Sequence, residues 1–393
     1  MIFSNFANID PLMTPPKDGS GSAKKGKIFL KVRNVIEICE KILQNNVNSI
    51  DVIYNLGKCY IEVQDYFAAQ NIIDMIEKDH PDHVFFYILS GHLNIKKGQL
   101  INSYKSFLKA YSKIQNKDPF LVYGIGLLFE HIEKYTIAIK WYTHLLKYDI
   151  ELFKYCEILY RIGIAYKKNN KLVDARETFK TLLDFSRSDA FNNDIKIQLA
   201  HIYERMSDTD KCLEILDEIK GTYIKKIPLH RMYAWAYYRR NELNKLKALE
   251  ENQECFDPYV LYLIARAYLE DKNYQKAVPL LYTSIKLDNQ MFMAYNTLGV
   301  VYYTTKNAEK SFLYFHKAVE INSEFLEAVE NLRVVEENCR KFNPSVIMKE
   351  TIPNLIKTRY LDSQVIFFEN IHYSTSLDLT TIQEMTTFKM ENL

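Results

Sequence analysis

Small residues recur at near-constant intervals along the chain, and each lies in one frame of apolar and aromatic positions. The frame reads apolar, small, two variable residues, aromatic, as in Ile162-Gly163 followed by Tyr166. The small position falls at Gly57, Gly91, Gly126, Gly163, Ala200, Ala234, Ala265 and Gly299, and a ninth frame carries Arg333 instead. The successive steps are 34, 35, 37, 37, 34, 31, 34 and 34 residues. Periods of this length are typical of stacked helix pairs.

A second small residue follows twelve positions after the first in most frames, and a large apolar residue comes four positions later. The second small residues are Ala69, Ser103, Ala138, Ala175, Ala277 and Ser311, and the large ones include Phe107, Tyr142, Phe179 and Phe315. Small residues let two helices cross closely, where a larger side chain would cost roughly 1–3 kcal/mol. The pattern matches the tetratricopeptide repeat (TPR) and predicts an all-α TPR solenoid of antiparallel helix pairs.

The same frame divides the chain into four parts. Residues 50–341 form a TPR array of about eight to nine repeats, in which the sixth frame is degenerate because Leu246 and Glu250 replace its later residues. Residues 28–49 are apolar at helical spacing and predict a capping helix or half repeat, which covers the first core face of an array. We expect residues 1–27 to be a disordered tail, whose lysines form either an import signal or a solvated basic stretch. Residues 342–393 leave the frame and are expected to be a partly irregular extension.

Composition and motifs favour a protein without catalytic activity or a bound cofactor. The formal net charge is only +2, so no strong field draws the chain to nucleic acid or to an anionic membrane. No phosphate loop, nucleophile elbow or zinc-protease motif is present. His80 and His83 flank Pro81 without a second ligand pair, so neither a metal site nor a cofactor is expected. We therefore predict no enzymatic activity and no small-molecule substrate.

Inward-facing positions of the first four frames predict a partner-binding groove. In this fold the first helix of each pair lines the concave face through its second, fifth, ninth, twelfth and thirteenth residues. The predicted groove residues are Tyr54, Lys58, Ile61, Phe85, Ile88, His92, Phe120, Tyr123, Leu127, Tyr160 and Ile164. Their aromatic and aliphatic character suits an amphipathic helix laid into a groove. The alternative is that several of them pack only against neighbouring repeats.

A second group of aromatic and basic residues lies around the degenerate sixth frame. It comprises Arg231, Trp235, Tyr238, Tyr262 and Arg266. Trp, Tyr and Arg are the residue types most enriched at binding hot spots, which favours a second partner site. Ordinary packing around a degenerate frame explains the same residues equally well.

Two segments resemble the TPR subunit of the fungal general transcriptional corepressor, the partner of the WD40-repeat Tup subunit. Residues 119–129 read P-F-L-V-Y-G-I-G-L-L-F and are similar to the family's P-x-L-W-x-G-I-G-I-L-Y. Residues 157–167 read E-I-L-Y-R-I-G-I-A-Y-K and are similar to its E-I-Y-F-R-L-G-I-I-Y-K. The two 37-residue steps also fall where that family has them. The abundance of Tyr, Lys, Asn and Ile resembles a compact version from a reduced genome such as that of a microsporidian.

This resemblance implies a right-handed superhelix and a non-enzymatic nuclear scaffold. The first repeats would hold a helical segment of the WD40 corepressor subunit, and later repeats would contact DNA-bound transcription factors. The scaffold would bind no nucleic acid directly and no membrane. Two alternatives stay open: a TPR subunit of another assembly, such as a ubiquitin-ligase complex or a trafficking coat, and an RNA-binding helical-repeat protein. The second is disfavoured because Tyr54 and Ile88 are poor readers of base edges.

Overall fold

The computed structural model describes residues 22–44, 49–114, 118–148, 152–186, 188–223, 226–251 and 257–341. Within these ranges every regular element is a helix, which confirms the predicted all-α class. Most of the predicted N-terminal tail and the whole predicted C-terminal extension lie outside the described residues. The chain forms two compact units, whose described parts are residues 22–186 and 188–341.

The first unit is a stack of helix hairpins preceded by a single helix. Its helices are α1 (Ser22–Gln44), α2 (Ile50–Glu62), α3 (Tyr66–Asp79), α4 (Val84–Lys96), α5 (Leu100–Lys113), α6 (Pro119–His131), α7 (Tyr135–Leu145), α8 (Leu152–Lys168) and α9 (Leu172–Phe185). Three-residue turns join the two helices of each pair, so the two run antiparallel. Helix α1 packs against α2 and begins at Ser22, so residues 22–27 of the predicted tail are helical.

The second unit repeats the same arrangement. Its helices are α10 (Asp189–Arg205), α11 (Thr209–Ile219), α12 (Lys226–Arg239), α13 (Leu243–Ala248), α14 (Pro258–Glu270), α15 (Tyr274–Leu287), α16 (Phe292–Thr304), α17 (Ala308–Ile321) and α18 (Leu326–Lys341). Helix α13 is the short one, and a 3₁₀ turn at Leu249–Glu251 extends it. This shortness coincides with the degenerate sixth frame, in which Leu246 fills the buried small position.

Glycine at the first small position faces an aromatic ring at four crossings, whereas Gly57 faces the side chains of Leu89 and Ile72. A Cβ atom added to Gly91 would lie 2.3 Å from the Phe107 ring, and one added to Gly163 would lie 2.8 Å from the Phe179 ring. Where alanine occupies the position, as in Ala265, the residue sixteen positions later is not aromatic, and Leu281 fills the space. A smaller residue at the first position is therefore accompanied by a larger side chain sixteen positions later, and the two together fill the space where the helices cross.

The turn inside each pair has one conformation throughout. The residue seven positions after the small residue has a left-handed backbone in all eight pairs: Gln64, Gly98, Glu133, Asn170, Ser207, Asn241, Lys272 and Lys306. Such a residue lets the next amide return to the end of the first helix, as Lys134 N–H does when it donates to the Phe129 carbonyl at 2.9 Å. The constant offset confirms the register read from the sequence.

Candidate protein-binding surfaces

The inner positions of α2, α4 and α6 bring five rings together, which we call the aromatic row: Tyr54, Phe85, His92, Phe120 and Tyr123. Tyr54 stacks on Phe85 with 3.9 Å between ring centroids, and its edge faces Phe120 at 6.4 Å. His92 stacks on Phe120 with 3.7 Å between ring centroids, and its centroid lies 6.4 Å from that of Tyr123. The rings thus fill much of one another's surface, and the row is continuous over three repeats.

Polar groups fix the first end of the aromatic row. The Tyr54 hydroxyl donates to the Asp118 carboxylate at 2.9 Å, and the same side chain caps α6 by accepting from Phe120 N–H at 2.6 Å. The Lys58 ammonium lies 4.6 Å from the centroid of the Tyr54 ring, within range of a cation–π contact. Burial lowers the pKa of Lys58, and the Asp118 carboxylate opposes that effect. A partly exposed cation therefore lies beside the buried Tyr54 ring and the partly exposed Phe120 ring.

A buried charged network closes the other end of the aromatic row. The Tyr123 hydroxyl donates to Glu157 on α8, and Arg161 Nε donates to the Tyr123 oxygen at 3.0 Å. The Arg161 guanidinium also pairs with Glu130 at 3.2 Å, and Tyr142 donates to the same carboxylate. Burial raises the pKa of the Tyr123 and Tyr142 hydroxyls well above their usual range, so both remain protonated donors. This network ties two consecutive repeats together, because it joins α6 and α7 of one pair to α8 of the next.

In the second unit the residues of the predicted second partner site belong to two separate groups. The first group is centred on Arg231. The Arg231 guanidinium makes a two-pronged ion pair with Asp257, at 2.9 Å from Nε and 2.6 Å from the second nitrogen. It also lies 4.5 Å from the centroid of the Tyr259 ring. Asp257 caps α14 by accepting from Tyr259 N–H and Val260 N–H. Arg231 therefore has a structural role in joining α12 to the start of α14.

The other contact is a cluster of Tyr238, Tyr262 and Arg266. The Arg266 guanidinium donates to the Tyr238 hydroxyl at 2.9 Å and to the Tyr262 hydroxyl at 3.3 Å. Trp235 lies beside it with 6.2 Å between its ring centroid and that of Tyr238. Its indole N–H is buried and has no hydrogen-bond partner among the described residues. Most of this cluster is buried, which favours packing over direct contact with a partner.

Three polar residues that the sequence analysis did not single out meet between α16 and α18. We call Asn296, Glu327 and Asn331 the α16–α18 polar site. Asn331 Nδ2 donates to Asn296 Oδ1 at 2.9 Å, and both side chains are buried. Burial raises the pKa of Glu327 to about 7. The repeat frame could have indicated two of these residues. Asn296 is the fifth residue of the eighth frame and Glu327 is the second residue of the ninth, and both positions face inward.

Comparison with known proteins places these surfaces in a family. Tetratricopeptide-repeat family models match residues 51–83 and 157–184 in the first unit, and residues 258–291 and 294–325 in the second. The chain thus contains tetratricopeptide repeats in both units. It is thus of the scaffold type, whose extended helical surfaces bind other proteins.

A sequence relative and two solved structures resemble this TPR protein. A TPR repeat-containing protein of Methanocaldococcus jannaschii is 26% identical over 291 residues, which are 72% of this chain and 46% of the relative. The chain thus spans about half the length of this curated relative. A tetratricopeptide repeat protein from Parabacteroides merdae has a TM-score of 0.52 at 16% identity, covering 64% of this chain and 98% of that one. The APC/C hetero-tetramer Cut9–Hcn1 has a TM-score of 0.47 at 15% identity, with 77% and 52% covered.

The TPR protein buries most of the predicted groove residues within its own stack. The buried ones are Tyr54, Ile61, Ile88, His92, Tyr123, Leu127 and Ile164, and the partly exposed ones are Lys58, Phe85, Phe120 and Tyr160. Successive first helices approach closely enough for their rings to stack, so the accessible part of this face is limited to the four partly exposed residues. Direct partner contact stays a prediction for the four partly exposed residues.

Two expected absences concern metals and membranes. Within the described ranges, no group of three or more His, Cys, Asp or Glu side chains lies close enough to hold a metal ion. His83 instead caps α4, where its Nδ1 accepts from Phe85 N–H at 3.2 Å. Of the helices described, none combines the length and apolar content that crossing a bilayer requires.

Proposed function

We propose that this TPR protein is the non-enzymatic scaffold of a nuclear transcriptional corepressor. Its first unit would hold a helical segment of a WD40-repeat corepressor subunit, and its second unit would receive DNA-bound transcription factors. The resemblance of residues 119–129 and 157–167 to the fungal corepressor subunit supports the partner assignment. Those residues form the inner helices α6 and α8, so they line the same face as the aromatic row.

The observation that carries the proposal is the partly exposed edge of the aromatic row. Phe85 stacks on the buried Tyr54 ring, Phe120 makes an edge contact with it, and both keep part of their own surface accessible. The Lys58 ammonium lies 5.7 Å from the Phe120 centroid and adds a cation to this edge. An amphipathic helix would bury its apolar stripe on the two rings and offer a carboxylate to Lys58.

A co-purification experiment with a double variant tests this placement. Phe85→Ala combined with Phe120→Ala removes both accessible rings, and removal of central aromatic anchors typically costs about 2–4 kcal/mol of binding. We expect the WD40 subunit to be lost from the affinity-purified chain, corresponding to a roughly 30-fold to 1,000-fold weaker complex. Circular dichroism at the same temperature would verify that the variant remains helical.

Phe67→Ala is the matched control, since Phe67 on α3 is 79% exposed and lies outside the row. This variant should retain the partner at wild-type strength. A folded double variant that still retains the WD40 subunit would place its binding site elsewhere. Recovery of ubiquitin-ligase or coat subunits in place of a WD40 protein would favour the alternative assemblies.

A further inference from the structure

Three tyrosine hydroxyls meet at the surface of the second unit, and we call Tyr282, Tyr302 and Tyr314 the tyrosine triad. Tyr282 lies on α15 and Tyr314 on α17, which are the second helices of consecutive pairs, and Tyr302 lies near the end of α16. The Tyr282 hydroxyl lies 2.8 Å from each of the other two hydroxyls. Tyr282 is 40% exposed and the other two residues are partly exposed, so a partner can reach the triad.

One hydroxyl proton of the triad has no acceptor among the described residues. A phenol carries a single proton that it can donate. The three hydroxyls therefore have three protons, whereas only two hydrogen bonds join them. Burial raises the pKa of Tyr282, and the hydrogen bond with Tyr282 raises the pKa of Tyr302, so both hydroxyls stay protonated at neutral pH. The triad thus offers one donor at the surface.

Tyrosine hydroxyls elsewhere in this chain show which acceptor they take. Eight tyrosines in the described ranges donate to an Asp or Glu carboxylate, as Tyr54 does to Asp118 and Tyr268 to Glu250. No described carboxylate accepts from the triad. A hydrogen bond to an ionised acceptor is roughly twice as strong as one between neutral groups. The triad is therefore a group of donors without the carboxylate that its chemistry favours.

The Lys310 ammonium gives the triad a positive neighbour. It lies 5.1 Å from the centroid of the Tyr302 ring and makes no ion pair with a described residue. The segment 272–317 contains all three tyrosines and has six lysines, whereas its only acidic residues are Asp288 and Glu309. The surface around the triad therefore attracts anions, and complementary charge guides an acidic partner onto it.

Helix α17 adds an exposed apolar side chain beside Lys310 and Tyr314. Leu313 is 62% exposed and lies three residues after Lys310, so the two share a helix face. A cation, a phenol and an apolar side chain thus occupy about one turn of α17. Such a mixed surface suits a protein segment in which an acidic residue stands beside an apolar one. A small inorganic anion makes no use of Leu313.

We propose that the tyrosine triad and Lys310 bind a carboxylate of an acidic peptide segment from a protein partner. The unused phenol proton donates to one carboxylate oxygen, Lys310 pairs with the charge, and Leu313 packs against a neighbouring apolar side chain of the segment. The proposal rests on the protein-binding scaffold function but not on the identity of the corepressor. It uses second helices of the second unit, whereas the aromatic row lies on first helices of the first unit.

The test begins with a displayed library of random dodecamer peptides. The library is depleted on a variant that combines Tyr282→Phe, Tyr302→Phe and Tyr314→Phe, which removes the three hydroxyls and keeps the rings. The remaining peptides are selected on the purified full chain, so that enriched peptides need the hydroxyls. They are then synthesised with a fluorescent label and titrated against the wild type and Lys310→Ala by fluorescence anisotropy. Circular dichroism verifies that each variant keeps the helical content of the wild type.

Two matched controls make the same chemical changes at other positions. Tyr274→Phe removes a hydroxyl on α15 that has no hydrogen bond with a described residue. Lys140→Ala removes an exposed cation from α7 of the first unit. Both controls should bind the enriched peptides at wild-type strength.

The expected result is an Asp or Glu at one fixed position of the enriched peptides, with affinity about tenfold weaker for Lys310→Ala. Replacing that acidic residue by Asn or Gln should weaken binding to the wild type by a similar factor, and added salt should weaken it as well. No enriched peptide, peptides without an acidic residue, or unchanged affinity for Lys310→Ala would overturn the proposal. The proposed corepressor role would be unaffected, since its test depends on Phe85 and Phe120 in the first unit.

The chain's own acidic residues offer another occupant, which the same titration identifies. A synthetic peptide of residues 366–379 contains Glu369 and Asp378. If it binds the wild type as tightly as the selected peptides and loses affinity with Lys310→Ala, the occupant is a segment of this chain, and the assignment to a separate partner is wrong. The expected result is much weaker binding than that of the selected peptides.

Discussion

A glycine and an aromatic ring share one helix crossing in several repeats, and the contact is tight enough to test by a single methyl group. A Cβ atom at Gly163 would lie 2.8 Å from the Phe179 ring, closer than side chains pack. Because Phe179 is fully buried, the ring has little room to move. We expect Gly163→Ala to lower the free energy of unfolding by roughly 1–3 kcal/mol in a denaturant titration followed by circular dichroism.

A second substitution at the same crossing tests whether the stability loss in Gly163→Ala comes from a steric conflict with the Phe179 ring. Phe179→Leu alone should cost stability by leaving space, but combined with Gly163→Ala it recreates the pairing seen at Ala265 and Leu281. The double variant should therefore be more stable than the sum of the two single losses indicates. Strictly additive losses would show that the methyl group and the ring do not compete for the same space.

The turn residue Glu133 has a left-handed backbone with φ of 59°, although it carries a side chain. Glycine adopts this conformation without steric cost, so Glu133→Gly should raise the free energy of unfolding by about 0.5–1 kcal/mol. The matched control is Gly98, which occupies the equivalent turn with φ of 74°. Gly98→Ala should shift the thermal midpoint downwards, and a midpoint that rises in Gly98→Ala would contradict the reasoning.

At the scale of elements, the closing helix α18 carries a carboxylate that opposes folding at high pH. Burial raises the folded-state pKa of Glu327 to about 7, above the ordinary value of a glutamate. The folded chain therefore binds this proton more tightly than the unfolded chain, and the group's contribution to stability is lost as pH rises from about 4.5 to 7. Glu327→Gln should raise stability by about 1–2 kcal/mol at pH 8, allowing for solvent screening of a partly exposed group, and change it little near pH 4.5.

Thermal unfolding at several pH values measures this effect, with Glu330→Gln as the control on the same helix. The control should leave the pH dependence of the midpoint nearly unchanged, since Glu330 is exposed. An equal gain at pH 8 and at pH 4.5 in Glu327→Gln would show that the carboxylate is not the cause.

The pairing of elements could be predicted from the sequence, because small residues at fixed spacing determine which helix faces can approach. Gly163 and Ala175 alone are enough to place the crossing of α8 and α9. The burial of Tyr54 could not be predicted, since an inward aromatic residue either stays accessible or stacks on the next repeat. The choice depends on how closely α2 approaches α4, which brings the Tyr54 and Phe85 rings to 3.9 Å.

The α16–α18 polar site shows a second limit of the sequence. The repeat frame places Asn296 and Glu327 at inward positions, but their chemistry depends on contacts between different repeats. Asn331 donates to the oxygen of the Asn296 amide, and the Asn296 side chain also interacts with the Glu327 carboxylate. Only the three-dimensional arrangement shows which polar groups are already satisfied.

At the scale of the whole molecule, each unit carries its own inner surface with a different chemistry. The first has the partly exposed Phe120 ring beside Lys58, and the second has the buried polar group of Asn296, Glu327 and Asn331. A scaffold with two such surfaces can hold two kinds of partner at once, which is what a bridge between transcription factors and a WD40 subunit requires. The assignment of those partners comes from the resemblance of α6 and α8 to the fungal corepressor subunit.

Affinity purification of the full chain from its source organism, followed by mass spectrometry, tests the central claim most directly. We expect a stoichiometric WD40-repeat protein together with sequence-specific DNA-binding proteins, and loss of the WD40 protein when Phe85 and Phe120 are both replaced by alanine. Stoichiometric ubiquitin-ligase or coat subunits, or bound RNA without a WD40 protein, would contradict it.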